Sequence, residues 1–147
     1  TPKSKILILT TPSNPTGSVY SKDELLALAE VLKETNITVV SDEMYEKLVY
    51  DGIKFTAVAS ISEDMFNRTI TVNGLSKSVA MTGWRFGYIA TPNKELVKAM
   101  TKLQGQSTSN INSITQHAAI VALNGSADQD VEMMRVEFEK RRNLACD

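Results

Sequence analysis

The chain has 147 residues, 42% of them hydrophobic, and sets 16 Lys and Arg against 17 Asp and Glu for a formal net charge of -1. That is the size of one ordinary domain with enough apolar material for a core, and its interspersed charges offer neither a basic face for nucleic acid nor a polybasic membrane patch. Cys146 has no second cysteine to pair with, the opening Thr1 to Lys5 lacks an apolar signal core, and no apolar run approaches the roughly 20 residues that span a bilayer, so a cytoplasmic protein handling small molecules is expected.

In chain order, Lys5 to Thr11 is a continuous aliphatic run too short for a helix, which predicts a strand buried on both faces, as in parallel sheets. It stops at Pro12-Ser13-Asn14-Pro15-Thr16-Gly17, where Pro15 favours an extended Asn14 and Thr16-Gly17 supplies a turn, so the Asn14 amide is held at the strand's end. Ser21 and Glu24 form a capping box, and Leu25, Leu28, Ala29 and Leu32 follow at helical spacing. A second strand over Ile37 to Ser41 runs into Asp42-Glu43-Met44-Tyr45. Tyr50-Asp51-Gly52 marks a turn, and Phe55 to Ile61 gives no firm pattern.

Thr69 to Val72 is β-branched throughout and predicts a short buried strand ending at Asn73. Phe86 to Thr91 reads as a fourth strand, but only twelve residues separate Asn73 from Phe86, barely enough for a parallel crossover, so an antiparallel pair is expected. Pro92-Asn93 caps a helix from Lys94 with Leu96, Met100 and Leu103 on one face, and the polar stretch Gly105 to Asn112 interrupts it. Two more helices are predicted, Ser113 to Leu123 and Asp128 to Leu144. The fold class is therefore α/β, a mainly parallel sheet flanked by helices with its last strand antiparallel.

Right-handed crossovers would bring the ends of the first three strands to one edge of the sheet, gathering Asn14, Asp42, Tyr45 and Lys77. Lys77 lies just past a strand end among Gly, Ser and Ala, which makes it a candidate nucleophile. An ordinary lysine, with a pKa of about 10.4, is unprotonated in only about four molecules per ten thousand at pH 7, so a working amine needs a pocket or a carbonyl partner. Eight residues on, Arg85 offers a forked cation suited to phosphate, and the two together point to a phosphorylated aldehyde. Ser76 and Ser78 read as loop formers, Trp84 as packing beside the site, His117 as a structural residue on a helix, and Cys146 as a thiol without a role.

The stretch Gly74-Leu75-Ser76-Lys77-Ser78-Val79-Ala80-Met81-Thr82-Gly83-Trp84-Arg85-Phe86-Gly87 resembles the lysine signature of class I and II aminotransferases, pyridoxal-phosphate enzymes of the aspartate aminotransferase fold. Phe86 stands where a smaller aliphatic is usual, and Gly74 replaces a serine found in part of the family, which removes one phosphate hydroxyl. The resemblance implies a three-layer large domain and a Lys77 imine with pyridoxal 5'-phosphate. Asp42 would pair with the ring nitrogen, Asn14 and Tyr45 would face the phenolic oxygen, and Arg85 with Ser76 would hold the phosphate. Asn14 would also bind substrate. It further implies amino-group transfer between an amino acid, aspartate or aromatic, and a 2-oxo acid by a homodimer. Residues 1–125 would be part of the cofactor-binding domain and 126–147 a helix leading to a second domain, the whole being a central piece of a longer chain and inactive alone. The same scaffold serves carbon-sulfur lyases, cyclopropane-forming synthases and non-catalytic effector domains of transcription regulators. Without the resemblance, a lysine-imine aldolase is the fallback.

Overall fold

Four strands form one sheet in sequence order, β1 (Ile6–Thr10), β2 (Thr38–Asp42), β3 (Thr69–Gly74) and β4 (Gly87–Ala90), in a computed structural model that describes residues 3–147. β1, β2 and β3 are parallel, with Thr10 opposite Asp42 and Asp42 opposite Val72, and β4 returns antiparallel with Gly87 opposite Gly74. The short link between β3 and β4 dictates that reversal, since a parallel return needs a longer crossover.

Helix α1 (Lys22–Lys33) starts where the capping box predicts: Glu24 N–H donates to the Ser21 hydroxyl, and the Glu24 carboxylate accepts from Ser21 N–H at 2.8 Å. Its Leu25, Ala29 and Leu32 meet Leu9, Val39, Val58 and Met65 in the core, with Leu7, Leu28, Ile37 and Ile61 packed around them. Burying a Leu or Met side chain completely is worth about 1.5–3 kcal/mol, an upper figure because unfolded chains are partly collapsed. Leu9, Val39 and Ser41 share this covered face.

The other face differs from the expectation of double burial. Within these residues Ile6 is 61% and Ile8 72% exposed, because helix α1 covers only the alternate residues of β1 and no described element covers these two. By the same alternation Asp42 lies with Ile8 and Val40 on the open side.

The unassigned stretch contains a short 3-10 turn at Val58–Ser60, followed by α2 (Glu63–Arg68), which the Ser62 hydroxyl caps by accepting Met65 N–H at 3.1 Å. Arg68 donates to the carbonyls of Thr35 and Ile37 at 3.0 and 3.1 Å and pairs with Asp64 at 2.7 Å, tying the start of β3 to the entry of β2. After β3 comes α3 (Leu75–Ser78), with a 3-10 turn at Thr82–Trp84.

Helix α4 (Lys94–Ser107) runs through Gly105 rather than breaking there. One glycine costs a helix only about 1 kcal/mol, and the real stop is Ser109 at φ 61, whose N–H and that of Thr108 both close onto the Gln104 carbonyl. The expected apolar face of α4 buries nothing, and Leu103 is 72% exposed. α5 (Ser113–Leu123) has the expected limits, and α6 (Asp128–Cys146) extends two residues past its predicted end. Among the described residues no helix is long and apolar enough to cross a membrane.

Glu43 is a charged residue in the covered layer, 2% exposed. Its Oε1 accepts from the Ser41 hydroxyl at 2.9 Å and from Val58 N–H at 3.0 Å. Burial pushes its carboxyl above the ordinary range, with smaller upward pushes from Glu46 and Asp42, against the two hydrogen bonds. A carboxyl raised on folding contributes most below its unfolded value, and that contribution fades as pH rises through the folded value. Glu43→Gln keeps the accepting oxygen and cannot ionise. Chemical denaturation from pH 4 to 8 should therefore show the variant gaining on the native protein as pH rises, by about 1.4 kcal/mol for each unit of upward displacement. A pH-independent difference would contradict the raised carboxyl.

Candidate active site

The first segment of the site follows β1. Thr11 N–H donates to the Asp42 carbonyl at 3.0 Å, continuing the parallel ladder past the strand. Ser13 N–H then bonds Ser18 carbonyl at 2.9 Å and Gly17 N–H bonds Ser13 carbonyl at 2.8 Å, closing a loop that needs the positive φ of Gly17 at +71. The Thr11–Pro12 and Asn14–Pro15 peptides are cis. Asn14 stands at the tip of this loop, exposed, and its Nδ2 donates to the Tyr45 hydroxyl at 3.3 Å.

The second segment follows β2. Asp42 is half-buried, and its Oδ1 accepts Met44 N–H at 3.2 Å. Glu43 N–H donates to the Val72 carbonyl at 2.9 Å, so the β2–β3 ladder also continues past the strand end. Glu46 N–H to Glu43 carbonyl at 3.0 Å and Leu48 N–H to Tyr45 carbonyl at 2.8 Å then wind residues 43–48 into tight turns that present Tyr45 to Asn14.

The third segment follows β3. Lys77 lies on α3, which begins directly where the strand ends, and its Nζ is 5.8 Å from the centroid of the Tyr45 ring. Gly74 makes this junction possible: a Cβ there would stand 2.7 Å from the Phe86 carbonyl oxygen and 3.2 Å from the Gly87 Cα. A serine would meet the same backbone, so the missing hydroxyl follows from the close approach of β4. Ser78 is buried, its hydroxyl donating to the Gly74 carbonyl at 3.3 Å. Beyond α3, Ala80 and Arg85 both take left-handed backbone, φ 56 and 54, which costs a non-glycine residue of order 1 kcal/mol.

Asn14, Tyr45 and Lys77 are thus brought together by contact, and Asp42 joins them by register. Arg85 is arranged otherwise. It is exposed, its Nη1 donates to the Thr82 carbonyl at 3.1 Å, and with Trp84, Asn110 and Asn112 it lines a cavity of about 840 Å³ that Lys77 does not line. The Ser76 carbonyl accepts the Thr82 hydroxyl at 3.0 Å, so Ser76 and Arg85 are joined through Thr82. Trp84 is 45% exposed, His117 is exposed on α5, and Cys146 is exposed near the end of α6. No group of three His, Cys, Asp or Glu able to hold a metal occurs among the described residues.

Two features have no counterpart in the sequence reading. Glu43, one residue from Asp42, is a structural acid, and in the sequence it looks like a second exposed charge in a polar Ser41-Asp42-Glu43 strand exit. Phe138 of α6, together with Asn14, Tyr45, Leu48 and Tyr50, lines a small cavity of about 310 Å³. Nothing in the local sequence of α6 places it beside Asn14.

The family model for aminotransferase class I and II matches residues 1–147. The chain is 49% identical over 147 residues to the aspartate aminotransferase of Geobacillus stearothermophilus, covering 100% of this chain and 37% of that protein. It is 51% identical over 146 residues to a probable aspartate/prephenate aminotransferase of Rickettsia bellii, covering 99% of this chain and 36% of the relative. The chain therefore spans just over a third of the length of these curated relatives. Among solved structures, an aromatic aminotransferase from Pyrococcus horikoshii superposes with TM-score 0.92 at 41% identity, over 98% of this chain and 38% of that one. The aspartate aminotransferase of Rhizobium meliloti gives 0.91 at 44% identity, over 98% and 36%. A family match over the whole length, with relatives about half identical across it and solved structures superposing on the same sheet, shows that this chain belongs to the class I and II aminotransferases.

Proposed function

We propose that the protein carrying this chain is a pyridoxal-phosphate-dependent aminotransferase moving an amino group between an amino acid, aspartate or aromatic, and a 2-oxo acid. The observation that carries the reading is the cluster of three side chains from three strand ends: Asn14 Nδ2 at 3.3 Å from Tyr45 Oη, and Lys77 Nζ at 5.8 Å from the Tyr45 ring. An amide and a phenol this close can both donate to one anionic oxygen, with an amine beside them for the adjoining carbonyl carbon. Asp42, half-buried on the open side of the sheet, suits a ring N–H. These donors and acceptors fit pyridoxal phosphate.

In this reading Lys77 would hold the cofactor at its carbonyl carbon through Nζ, and the same amine would be the base placed for the proton on the substrate's Cα. Asp42 would hold the proton on the ring nitrogen through a charge-assisted hydrogen bond. Asn14 and Tyr45 would stabilise the phenolic oxygen as its anion, and Asn14 would also reach substrate. When bound, the cofactor supplies the electron sink that makes the Cα proton removable. Arg85 and Ser76 are assigned to the phosphate, which asks the Arg85 guanidinium to turn from the Thr82 carbonyl toward Lys77.

We assign residues 1–125 to the cofactor-binding domain and α6, within 126–147, to the link with a second domain. The full-length protein is proposed as a cytoplasmic homodimer. Turnover is expected of that protein and not of these residues alone, because orientation of all reacting groups can account for about 7–11 kcal/mol of barrier lowering and a partial site forfeits it.

Two experiments on the full-length protein test the reading. Borohydride reduction with pyridoxal phosphate present, followed by peptide mapping, should place the pyridoxyl group on Lys77 alone; a label on Lys47 or Lys94 would overturn the assignment. Asp42→Asn should leave the fold intact, weaken cofactor retention and slow Cα proton exchange with solvent at least about a hundredfold, the scale of losing about 3 kcal/mol of charge-assisted bonding. Near-native exchange would make Asp42 a loop cap for Met44 and nothing more.

A further inference from the structure

We propose that α6 is a positioning element for the Asn14–Tyr45 pair, acting through an ion-pair clasp that grips residues 49–51; the proposal rests on the functional reading above. Three consecutive residues are each held. Arg135 Nη1 donates to the Val49 carbonyl at 3.3 Å. The Arg142 guanidinium lies 5.3 Å from the centroid of the Tyr50 ring. Asp51 is held twice, its N–H donating to Glu139 Oε1 at 2.6 Å and its carboxylate accepting two bonds from Arg142, at 2.6 and 2.9 Å.

The gripping residues are themselves fixed. Glu139 Oε2 accepts from Arg135 at 2.8 Å, and the other edge of Arg135 forms a two-bond pair with Glu132 at 2.8 and 2.9 Å. Hydrogen bonds and charges hold the Asp51 and Glu139 carboxyls below their ordinary range and raise the two guanidiniums above theirs. Single surface ion pairs contribute little, but here a forked pair, a cation over a ring and two backbone contacts fall on one turn. Asp51 and Gly52 take the left-handed backbone, φ 59 and 69, of a tight turn that Ile53 N–H closes onto the Tyr50 carbonyl, so the clasp grips a turn that is already formed.

The grip reaches the site by a short path. Leu48 N–H donates to the Tyr45 carbonyl at 2.8 Å and Ile53 N–H to the Tyr50 carbonyl at 3.1 Å, so residues 45–48 and 50–53 form two successive turns with only Val49 between them. Docking α6 also sets Phe138 into the wall of the cavity that Asn14, Tyr45, Leu48 and Tyr50 complete. Releasing the clasp frees Tyr45 to leave the 3.3 Å contact with Asn14 without touching either residue. Arg135, Glu139 and Arg142 are positioning residues on this account.

The test uses the full-length protein with pyridoxal phosphate and the variants Arg142→Gln and Asp51→Asn. Both should keep the cofactor, while the pH midpoint of its visible absorbance change rises by about half a unit to one unit, the scale of one weakened hydrogen bond to an anionic oxygen. In the cofactor-free protein, amide hydrogen exchange over residues 45–51 should quicken about tenfold, the equivalent of one unit on the same scale. The swapped double variant, Asp51→Arg with Arg142→Asp, should bring both readouts back toward native values. An unchanged midpoint with native exchange over 45–51 would overturn the clasp, as would faster exchange confined to α6. Failure of the unaltered protein to take up pyridoxal phosphate would count against the functional reading instead, and the exchange measurement would then decide the clasp alone.

Discussion

The site depends on the parallel ladder continuing beyond the strands. Thr11 N–H to the Asp42 carbonyl and Glu43 N–H to the Val72 carbonyl, at 3.0 and 2.9 Å, fix the first two chain segments as each leaves the sheet, and pairing with β4 holds the third as far as Gly74. Parallel pairing puts all three exits at one edge, and the register aligns Thr10, Asp42 and Val72 there. A one-residue slip of β2 would turn Asp42 toward the α1 side and Ser41 to the open side. Buried residues on the α1 side, Leu9, Val39 and Ser41 among them, make that slip costly, so packing on one face sets the chemistry presented on the other.

Glu43 adds a second restraint at the same place. A buried carboxylate is expensive unless bonded, and this one accepts two hydrogen bonds that join the end of β2 to the Val58 turn. The backbone between Asp42 and Tyr45 is thereby anchored from the covered side while their side chains serve the open side. Gly74 plays the complementary part at β3, where any Cβ would collide with β4, so the strand can pass directly into the helix that carries Lys77.

Much of this was legible locally. The aliphatic runs, the Ser21–Glu24 box and the short β3–β4 link each act over a few residues, and the corresponding elements are where those patterns put them. Exposure of Ile6 and Ile8 within these residues was not legible, because periodicity reports hydrophobicity and not which elements are there to cover it. α2 is six residues long, too short to show a helical period, and Gly105 reads as a breaker in a helix that tolerates it. The clasp joins residues 91 positions apart, Asp51 and Arg142, which no local pattern reports. At the site, strand ends predicted which residues meet, but side-chain direction did not follow from them. Arg85 lies on the expected segment and bonds Thr82, because its backbone enters the left-handed region just after a 3-10 turn.

In the proposed function one ligand is read simultaneously by the segments that follow three parallel strands. A crystal structure of the full-length protein with pyridoxal phosphate tests it most directly. Density should be continuous with Lys77 Nζ, with the ring nitrogen within hydrogen-bond reach of Asp42 and the phenolic oxygen shared by Asn14 Nδ2 and Tyr45 Oη. A cofactor seated in the cavity beside Trp84 and Arg85, with Lys77 uninvolved and Asp42 bonded only to Met44, would contradict it.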